Sequence, residues 1–217
     1  MIDNTSLNYM QSRRRRIFTI TLFWGSIWGI VEASLGLILH AIRVIPTGAI
    51  LFPLGYYFMQ KSYKETGHLV SIFYTSVIAA SIKLINLFSP IIPSIRVLNP
   101  AACILLEGLG VVLVFKYLIK ISHGFKLAYG LAMSIFWRIG YYLMCFAIFI
   151  PLKMMDPQSI INLDHFIRFF LINSTVNSLL IYAYEINLSY NKESNIRYNT
   201  VLAASLYLTA LIVQWII

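Results

Sequence analysis

The sequence has little charge, and most of the charge that it has is positive. Only 12% of its 217 residues are charged, and 17 Lys and Arg residues stand against 8 Asp and Glu residues. Soluble domains carry about 25% charged residues. With 59% hydrophobic residues and a mean hydropathy of +0.76, the chain has more apolar surface than a soluble core needs. The composition therefore favours an integral membrane protein.

Several functional signatures are also missing. The two cysteines, Cys103 and Cys145, both lie in apolar stretches, so neither a zinc spacing nor a disulfide framework is indicated. No Walker A pattern occurs, so any step driven by ATP would need separate subunits. The net charge of +9 lies mostly in loops, where it serves topology and contact with anionic headgroups. We therefore expect no metal, no cofactor and no nucleic-acid partner.

The basic residues of the connecting segments are concentrated on one predicted side of the membrane. Basic segments alternate along the chain with nearly uncharged ones, and the positive-inside rule places the basic ones in the cytoplasm. Eleven residues form the basic set: Arg13, Arg14, Arg15, Arg16, Lys61, Lys64, Lys116, Lys120, Lys126, Lys192 and Arg197. The intervening loops carry only Arg43, Arg96 and Lys153. This alternation predicts a cytoplasmic N-terminus in a multi-pass protein of the cytoplasmic membrane.

The apolar runs predict an all-α, polytopic transmembrane bundle. A spanning helix needs about 20 mostly apolar residues, and six runs are full or nearly full spans: 17–40, 68–88, 100–117, 127–150, 163–186 and 200–217. A short run, 46–59, contains Gly and Pro and could be a short helix or a re-entrant segment. The loop charges require it to cross, which gives seven crossings with the N-terminus inside and the C-terminus outside. The basic run before the first span is not a signal peptide, because the apolar run is too long and lacks an A-x-A site.

Charged residues inside the predicted spans are the main functional signal, because such residues are rare and costly in a bilayer. Glu32, Lys83, Glu107 and Arg168 are each predicted near the outer end of a span, and Arg138 lies near the middle of one. The ionisable groups are therefore expected to form one layer displaced toward the outside.

These charges have aromatic and polar companions at helical spacing. Such a set is typical of a water-accessible pocket for a small polar ligand, although ion pairs that staple the bundle would use the same residue types. The candidate ligand-binding residues are Trp28, Glu32, Lys83, Asn86, Glu107, Arg138, Tyr141, Tyr142, His165 and Arg168. Asp164 lies at the rim. The charge set suits an anionic or zwitterionic molecule with an apolar or aromatic part.

The first helix also carries Gly25, Gly29 and Ala33 at intervals of four. This small-xxx-small pattern lets two helix backbones approach closely in lipid. The pattern indicates that one face of the first helix packs closely against a neighbour, which is either a partner subunit or another helix of the same chain.

Together, these features resemble the substrate-binding S components of energy-coupling factor (ECF) transporters. The likeness covers roughly 17–186 and rests on architecture and on the segments WGIVEASLGLILH and LNPAACILLEGLG. It implies a six-helix S-component-like core after a basic cytoplasmic tail at 1–16, and the span at 200–217 is an addition. It also implies capture of a vitamin-like molecule or micronutrient from outside. In that family the first-helix pattern, here Gly25, Gly29 and Ala33, meets a T-type transmembrane subunit, which works with ATPase subunits.

Two other functions stay open. Cys103, Arg138 and His165 follow in the order of the Cys, Arg and His of exosortase-type membrane transpeptidases, where a thiolate nucleophile would need a cation and a base. The surrounding NPAACILLEG lacks the Cys-Ser-Gly run expected there. A membrane scaffold without a ligand is the third reading.

Overall fold

The computed structural model describes residues 4–42, 47–118, 126–190 and 198–217, and within these ranges it is helical without strands. Part of the predicted charge pattern, Arg43, Lys120, Lys192 and Arg197, lies outside the described residues, as does Pro46. The helices are α1 (Asn4–Ile42), α2 (Thr47–Thr66), α3 (Leu69–Leu84), α4 (Ser94–Tyr117), α5 (Lys126–Met144), α6 (Gln158–Ile161), α7 (Leu163–Phe166), α8 (Asn173–Tyr190) and α9 (Thr200–Ile216).

Five of the described helical segments are long and apolar enough to cross a membrane. They are Met10–Leu39, Leu69–Phe88, Ser94–Tyr117, Lys126–Phe149 and Leu163–Asn187. The helix α9 is apolar but shorter, with 17 residues. The helical membrane bundle that composition predicts is thus the observed architecture.

The helix bounds differ from the predicted spans in three places. The doubtful run 46–59 belongs to a helix of 20 residues, Thr47–Thr66, which is longer than predicted because the polar stretch after Met59 continues the same helix. The helix α4 begins at Ser94, not at residue 100, and Pro100 lies inside it, where proline removes one backbone hydrogen bond. The helix α1 begins at Asn4, so the described part of the predicted tail extends the first span.

The first three helices pack in alternating directions. Gly25 of α1 faces Thr75 and Ile78 of α3, and Gly29, one turn later, faces Ile82. The two helices therefore run parallel. Between them along the chain, α2 runs the opposite way, since Gly55 packs on Trp28 and the earlier Leu51 lies beside Gly36.

The helix α2 lies centrally and contacts α1, α3, α4 and α8. On the other side of α1, α9 packs along its length and also touches α3. Surrounded by α2, α3 and α9, α1 is buried along most of its apolar part. The α5–α8 side is more open, and many of its large apolar side chains are exposed, as lipid-facing surfaces are.

Local chemistry explains how polar residues fit inside these helices. The hydroxyls of Ser26 and Thr75 donate to carbonyl oxygens one turn earlier, at 2.6 and 2.8 Å, so they need no partner from another helix. Gly67 has φ +71 and makes the tight turn between α2 and α3, a conformation that glycine adopts without strain. Segments of wider π-helical turns, Cys145–Phe149 and Ile167–Ile172, follow α5 and α7.

Candidate ligand site between the helices

Glu107 lies in the interior of the bundle. Because α4 begins at Ser94 and ends at Tyr117, Glu107 is near the middle of the helix. The prediction that it lies near the outer face assumed a helix that starts at residue 100, and its depth in the membrane stays a prediction. Its side chain is 6% exposed, and in the described ranges it has neither a hydrogen-bond partner nor an ion-pair partner. The close approach of α3, whose Ser76 packs on Gly108, holds this part of α4 inside the bundle.

Glu32 is the second buried carboxyl, on α1. It is 9% exposed and, like Glu107, makes no hydrogen bond or ion pair within the part of the chain that the structure describes. It lies within electrostatic range of Glu107 and of Lys83 in the last turn of α3. We call Glu32 and Glu107 the carboxyl pair.

Trp28 lies one turn before Glu32 and serves first as a packing residue. It is 1% exposed, and its ring covers Gly55, where a Cβ atom would come within 2.5 Å of the ring. Its indole N–H is near the Glu32 carboxyl but has no hydrogen-bond partner among the described atoms. A buried donor and a buried acceptor thus stand close together with neither fully satisfied.

Arg138, by contrast, is held by the protein itself. It is 1% exposed and donates to the carbonyl oxygen of Ser134 at 2.9 Å and to Oδ1 of Asn177 at 2.7 Å. Its guanidinium carbon lies 4.4 Å from the ring centre of Trp137 and 5.1 Å from that of Phe169. Within the described residues, Nε is the one guanidinium nitrogen that has no hydrogen-bond partner. We call Arg138, Ser134 and Asn177 the arginine cluster.

Asn177 extends this cluster to α2. Its amide nitrogen donates to the carbonyl oxygens of Gly48 and Ala49, at 3.1 and 2.9 Å. The arginine cluster therefore joins α5, α8 and the first turn of α2. Sequence reasoning missed Asn177 because it considered charged residues almost alone, although an amide inside an apolar span is the same kind of signal.

The stapling interpretation predicts that the buried charges pair directly, and they do not. Glu32, Lys83, Glu107 and Arg138 make no contact of opposite charges within 4.0 Å among the side chains that the structure describes. Clefts are defined at the bundle surface, one beside Lys153 and Asp156 and one near the N-terminus. Neither is lined by the carboxyl pair. That these four groups surround one cavity stays a prediction.

Of the residues predicted on the outer side, Tyr142 and His165 lie together, and Arg168 lies apart from them. Tyr142 lies within 3.3 Å of Nδ1 of His165 and donates to the carbonyl oxygen of Ile160 at 3.2 Å. His165 stacks on Phe169 with ring centres 5.6 Å apart. This group touches the arginine cluster through the Phe169 ring.

Arg168 does not belong to the interior set. It forms an ion pair with Asp164, one turn earlier, at 3.0 Å, and both side chains are 68% exposed. The helical spacing that suggested a shared polar cluster instead produces a surface pair. Asn86 is buried, on a 3₁₀ turn after α3, and Lys83 is half-buried.

Cys103 has surroundings that suit packing. Its thiol contacts Oδ1 of Asn99 at 3.8 Å, and both carboxyls of the pair lie within electrostatic range, together with Arg138. Reactive cysteines occupy electropositive surroundings. The described contacts of His165 are with Tyr142 and Phe169, and none of them is with Cys103.

The face formed by Gly25, Gly29 and Ala33 is used within the chain. A Cβ atom at Gly25 would lie 2.7 Å from Cβ of Ile78, and one at Gly29 would lie 2.5 Å from Cδ1 of Ile82. Ala33 is buried. Of the two uses that the sequence left open, the structure has the contact with another helix of the same chain, and the groove is closed to a partner.

A polar contact at the other end of α2 was also missed. Glu185 of α8 accepts hydrogen bonds from Tyr56, at 2.8 Å, and from Gln60. The sequence suggested only a charge at a helix end. Tyr56 and Gln60 are one turn apart on α2, and that spacing was the available signal.

Comparisons with protein-family models, with curated proteins and with solved structures find no match to this chain.

Proposed function

We propose that this chain is the substrate-capture subunit of an uptake system in the cytoplasmic membrane, similar to the S components of ECF transporters. It would bind a small polar, vitamin-like or micronutrient molecule from outside. A T-type transmembrane subunit and ATPase subunits would supply the energy, since this chain has no nucleotide-binding motif.

The carboxyl pair carries this proposal. A charged side chain in the centre of a bilayer costs on the order of 3 kcal/mol by insertion measurements, and a buried carboxyl without a hydrogen bond is costly in either protonation state. The arginine cluster offsets that cost for Arg138 with its own contacts. Glu32 and Glu107 have no such contacts, and a bound molecule with donor groups would provide them.

The hydrogen bonds of Arg138 also narrow the chemical class of the proposed ligand. The sequence alone allowed an anionic or a zwitterionic molecule. Because Arg138 already donates to Ser134 and Asn177, two of its five N–H groups are in use and its capacity for an anion is reduced. A zwitterion fits better, with a cationic or amide donor between the carboxyls and an acceptor toward Arg138 or Lys83. Its apolar part would lie near Tyr141.

The direction of the helices supports the proposed topology. With α1 and α3 parallel and α2 antiparallel to them, the chain returns across the bundle between α1 and α3. We infer seven crossings with the N-terminus inside. A reporter active only in the cytoplasm and fused after Ile217 should give no signal, and strong activity would contradict this topology.

A partner subunit would have to dock on a face other than Gly25, Gly29 and Ala33, because α3 fills that groove. In the ECF family the first-helix pattern is the docking site, so this is where the chain departs from the resemblance. Copurification of a T-type subunit and ATPases with the tagged protein would test the association itself.

The ligand is tested by mass spectrometry of small molecules that copurify with the detergent-solubilised protein. We expect a bound molecule in the wild type and at least about tenfold less of it in Glu107→Gln, a loss equivalent to about 1.4 kcal/mol. Asp164→Asn is the matched control, since it removes one carboxylate from a surface pair and should retain the molecule. Equal retention by both variants would contradict a site at Glu107.

Catalysis by Cys103 is the competing hypothesis, and one substitution separates the two. As a packing residue, Cys103 can become alanine with ligand retention largely intact. A nucleophile cannot be removed without loss of turnover. Normal retention and uptake in Cys103→Ala would support capture, whereas complete loss of activity in a folded variant would favour the transpeptidase.

A further inference from the structure

A second polar site lies at the end of the bundle where the basic run of α1 meets the apolar run. It is a cleft of about 480 Å³ between α1 and the start of α9. Its lining includes Ser12, Arg15, Arg16, Thr19, Tyr198 and Thr200. Residues 12–16 are exposed, whereas Thr19 and Ile20 are buried. The cleft therefore opens at the level where headgroups meet the apolar core of a bilayer.

The four arginines of the basic run have different surroundings. Arg13 donates to Nε2 of His68 at 2.8 Å, and Arg16 donates to the carbonyl oxygen of Glu65 at 3.1 Å. Arg15 lines the cleft and makes no hydrogen bond or ion pair with the described residues. Arg14 is equally exposed but does not line the cleft. Arg15 is thus a cation that faces a defined space and has no partner among the described residues.

The opposite wall of the cleft supplies further donors, and the nearest carboxyl, that of Glu65, lies behind it within reach of Tyr198. The hydroxyls of Thr19 and Thr200 lie 3.1 Å apart. The helix α9 begins at Thr200, and although Asn199 caps the Val201 N–H at 3.0 Å, its first turn still carries the positive end of the helix dipole. Burial raises the pKa of the Tyr198 phenol, so this hydroxyl stays neutral. None of the described residues that line the cleft is acidic.

We propose that this cleft binds a phosphate group, held by Arg15, by the hydroxyls of Thr19 and Thr200, and by the first turn of α9. Arginine, hydroxyl groups and a helix N-terminus together are a recurrent anion-binding combination. The phosphate belongs either to an anionic phospholipid or to a free phosphate compound, because both present the same oxygens. The inference does not depend on the proposed capture function, since the cleft and the carboxyl pair share no residue.

The lipid source is tested with the full chain in nanodiscs that contain phosphatidylglycerol and phosphatidylcholine, by native mass spectrometry of retained lipid. Arg15→Gln should lower phosphatidylglycerol retention by more than about tenfold, because it removes a hydrogen bond between charged groups in addition to the surface attraction of one cation. Arg14→Gln is the matched control, with the same charge change one residue away, and should lower it by no more than about fivefold, the surface attraction of one juxtamembrane cation. Both side chains are exposed, so neither substitution should shift the melting temperature.

The second source is tested by titrating inorganic phosphate into the solubilised wild type and into both variants. Binding that Arg15→Gln abolishes and Arg14→Gln preserves would assign the cleft to free phosphate. Retention of phosphatidylglycerol without phosphate binding would assign it to lipid. Equal effects of the two substitutions on both ligands would overturn the proposal, because they would show attraction by diffuse surface charge. Thr200→Val, which removes a hydroxyl without changing the charge, should weaken the same ligand that depends on Arg15.

Discussion

The arginine cluster and the carboxyl pair are both buried in the same bundle, yet they differ in how their polar atoms are satisfied. In the arginine cluster, Arg138 binds a carbonyl and an amide and lies between two aromatic rings. In the carboxyl pair, Glu107 has electrostatic neighbours but no hydrogen bond in the described ranges, and Glu32 has only the nearby indole N–H of Trp28. A charged residue in a membrane span can therefore serve two purposes. The arginine cluster links helices through hydrogen bonds, whereas the carboxyl pair makes no such links.

The largest expected effect comes from breaking the arginine cluster. Arg138→Ala removes two hydrogen bonds from a charged donor and two cation–π contacts, and it leaves Oδ1 of Asn177 without its donor. We expect destabilisation on the order of 3 kcal/mol, measured by denaturant unfolding in detergent. Arg96→Ala, at an exposed site in the first turn of α4, is the control and should be close to neutral. If both variants unfold alike, Arg138 does not hold α5, α8 and α2 together.

The next effect concerns the packing of α1 on α3. At Gly25 a Cβ atom would lie 2.9 Å from the carbonyl oxygen of Thr75, so Gly25→Ala must move one helix and should cost about 1–3 kcal/mol. At Gly36 the nearest atom would be 3.9 Å away, and Gly36→Ala should be neutral or slightly stabilising, since alanine favours the helix. The same unfolding assay compares them, and equal stability would contradict the close contact.

A smaller effect of opposite sign is expected at the carboxyl pair. Glu107→Met keeps the approximate volume but removes a buried polar group without a partner, so stability should rise by about 1–2 kcal/mol. Ligand retention should fall at the same time. A stability loss as large as that of Arg138→Ala would mean that Glu107 has a structural role, and the contrast between the two clusters would disappear.

The smallest effect is expected at the surface pair of Arg168 and Asp164. Both side chains are 68% exposed, so solvent screens their attraction, and exposed ion pairs contribute about 0–1 kcal/mol. Asp164→Asn should therefore change stability by less than about 1 kcal/mol, and the difference from wild type should shrink further in high salt. A larger, salt-independent loss would show that Asp164 has a role beyond this pair.

The sequence by itself determined the class of the protein and the position of most helices. Apolar runs of about 20 residues need no tertiary information to be recognised, because a helix satisfies its own backbone hydrogen bonds in lipid. The sequence also selected Glu32, Glu107 and Arg138 as unusual, since intramembrane charge is costly wherever the helix packs. It placed the start of α4 too late because Pro100 resembles a helix beginning.

Only the tertiary structure decided how these residues are used. Helical spacing gives the face on which a side chain lies but not the helix that covers that face. Thus the glycines of α1 pack against α3 instead of a partner subunit. Arg168 forms its ion pair at the surface, and Asn177 accepts a hydrogen bond from Arg138 on another helix. The neighbouring helices provide hydrogen-bond acceptors for Arg138 and no comparable set of donors for Glu32 and Glu107. That difference depends on which helices meet, and no local sequence pattern encodes it.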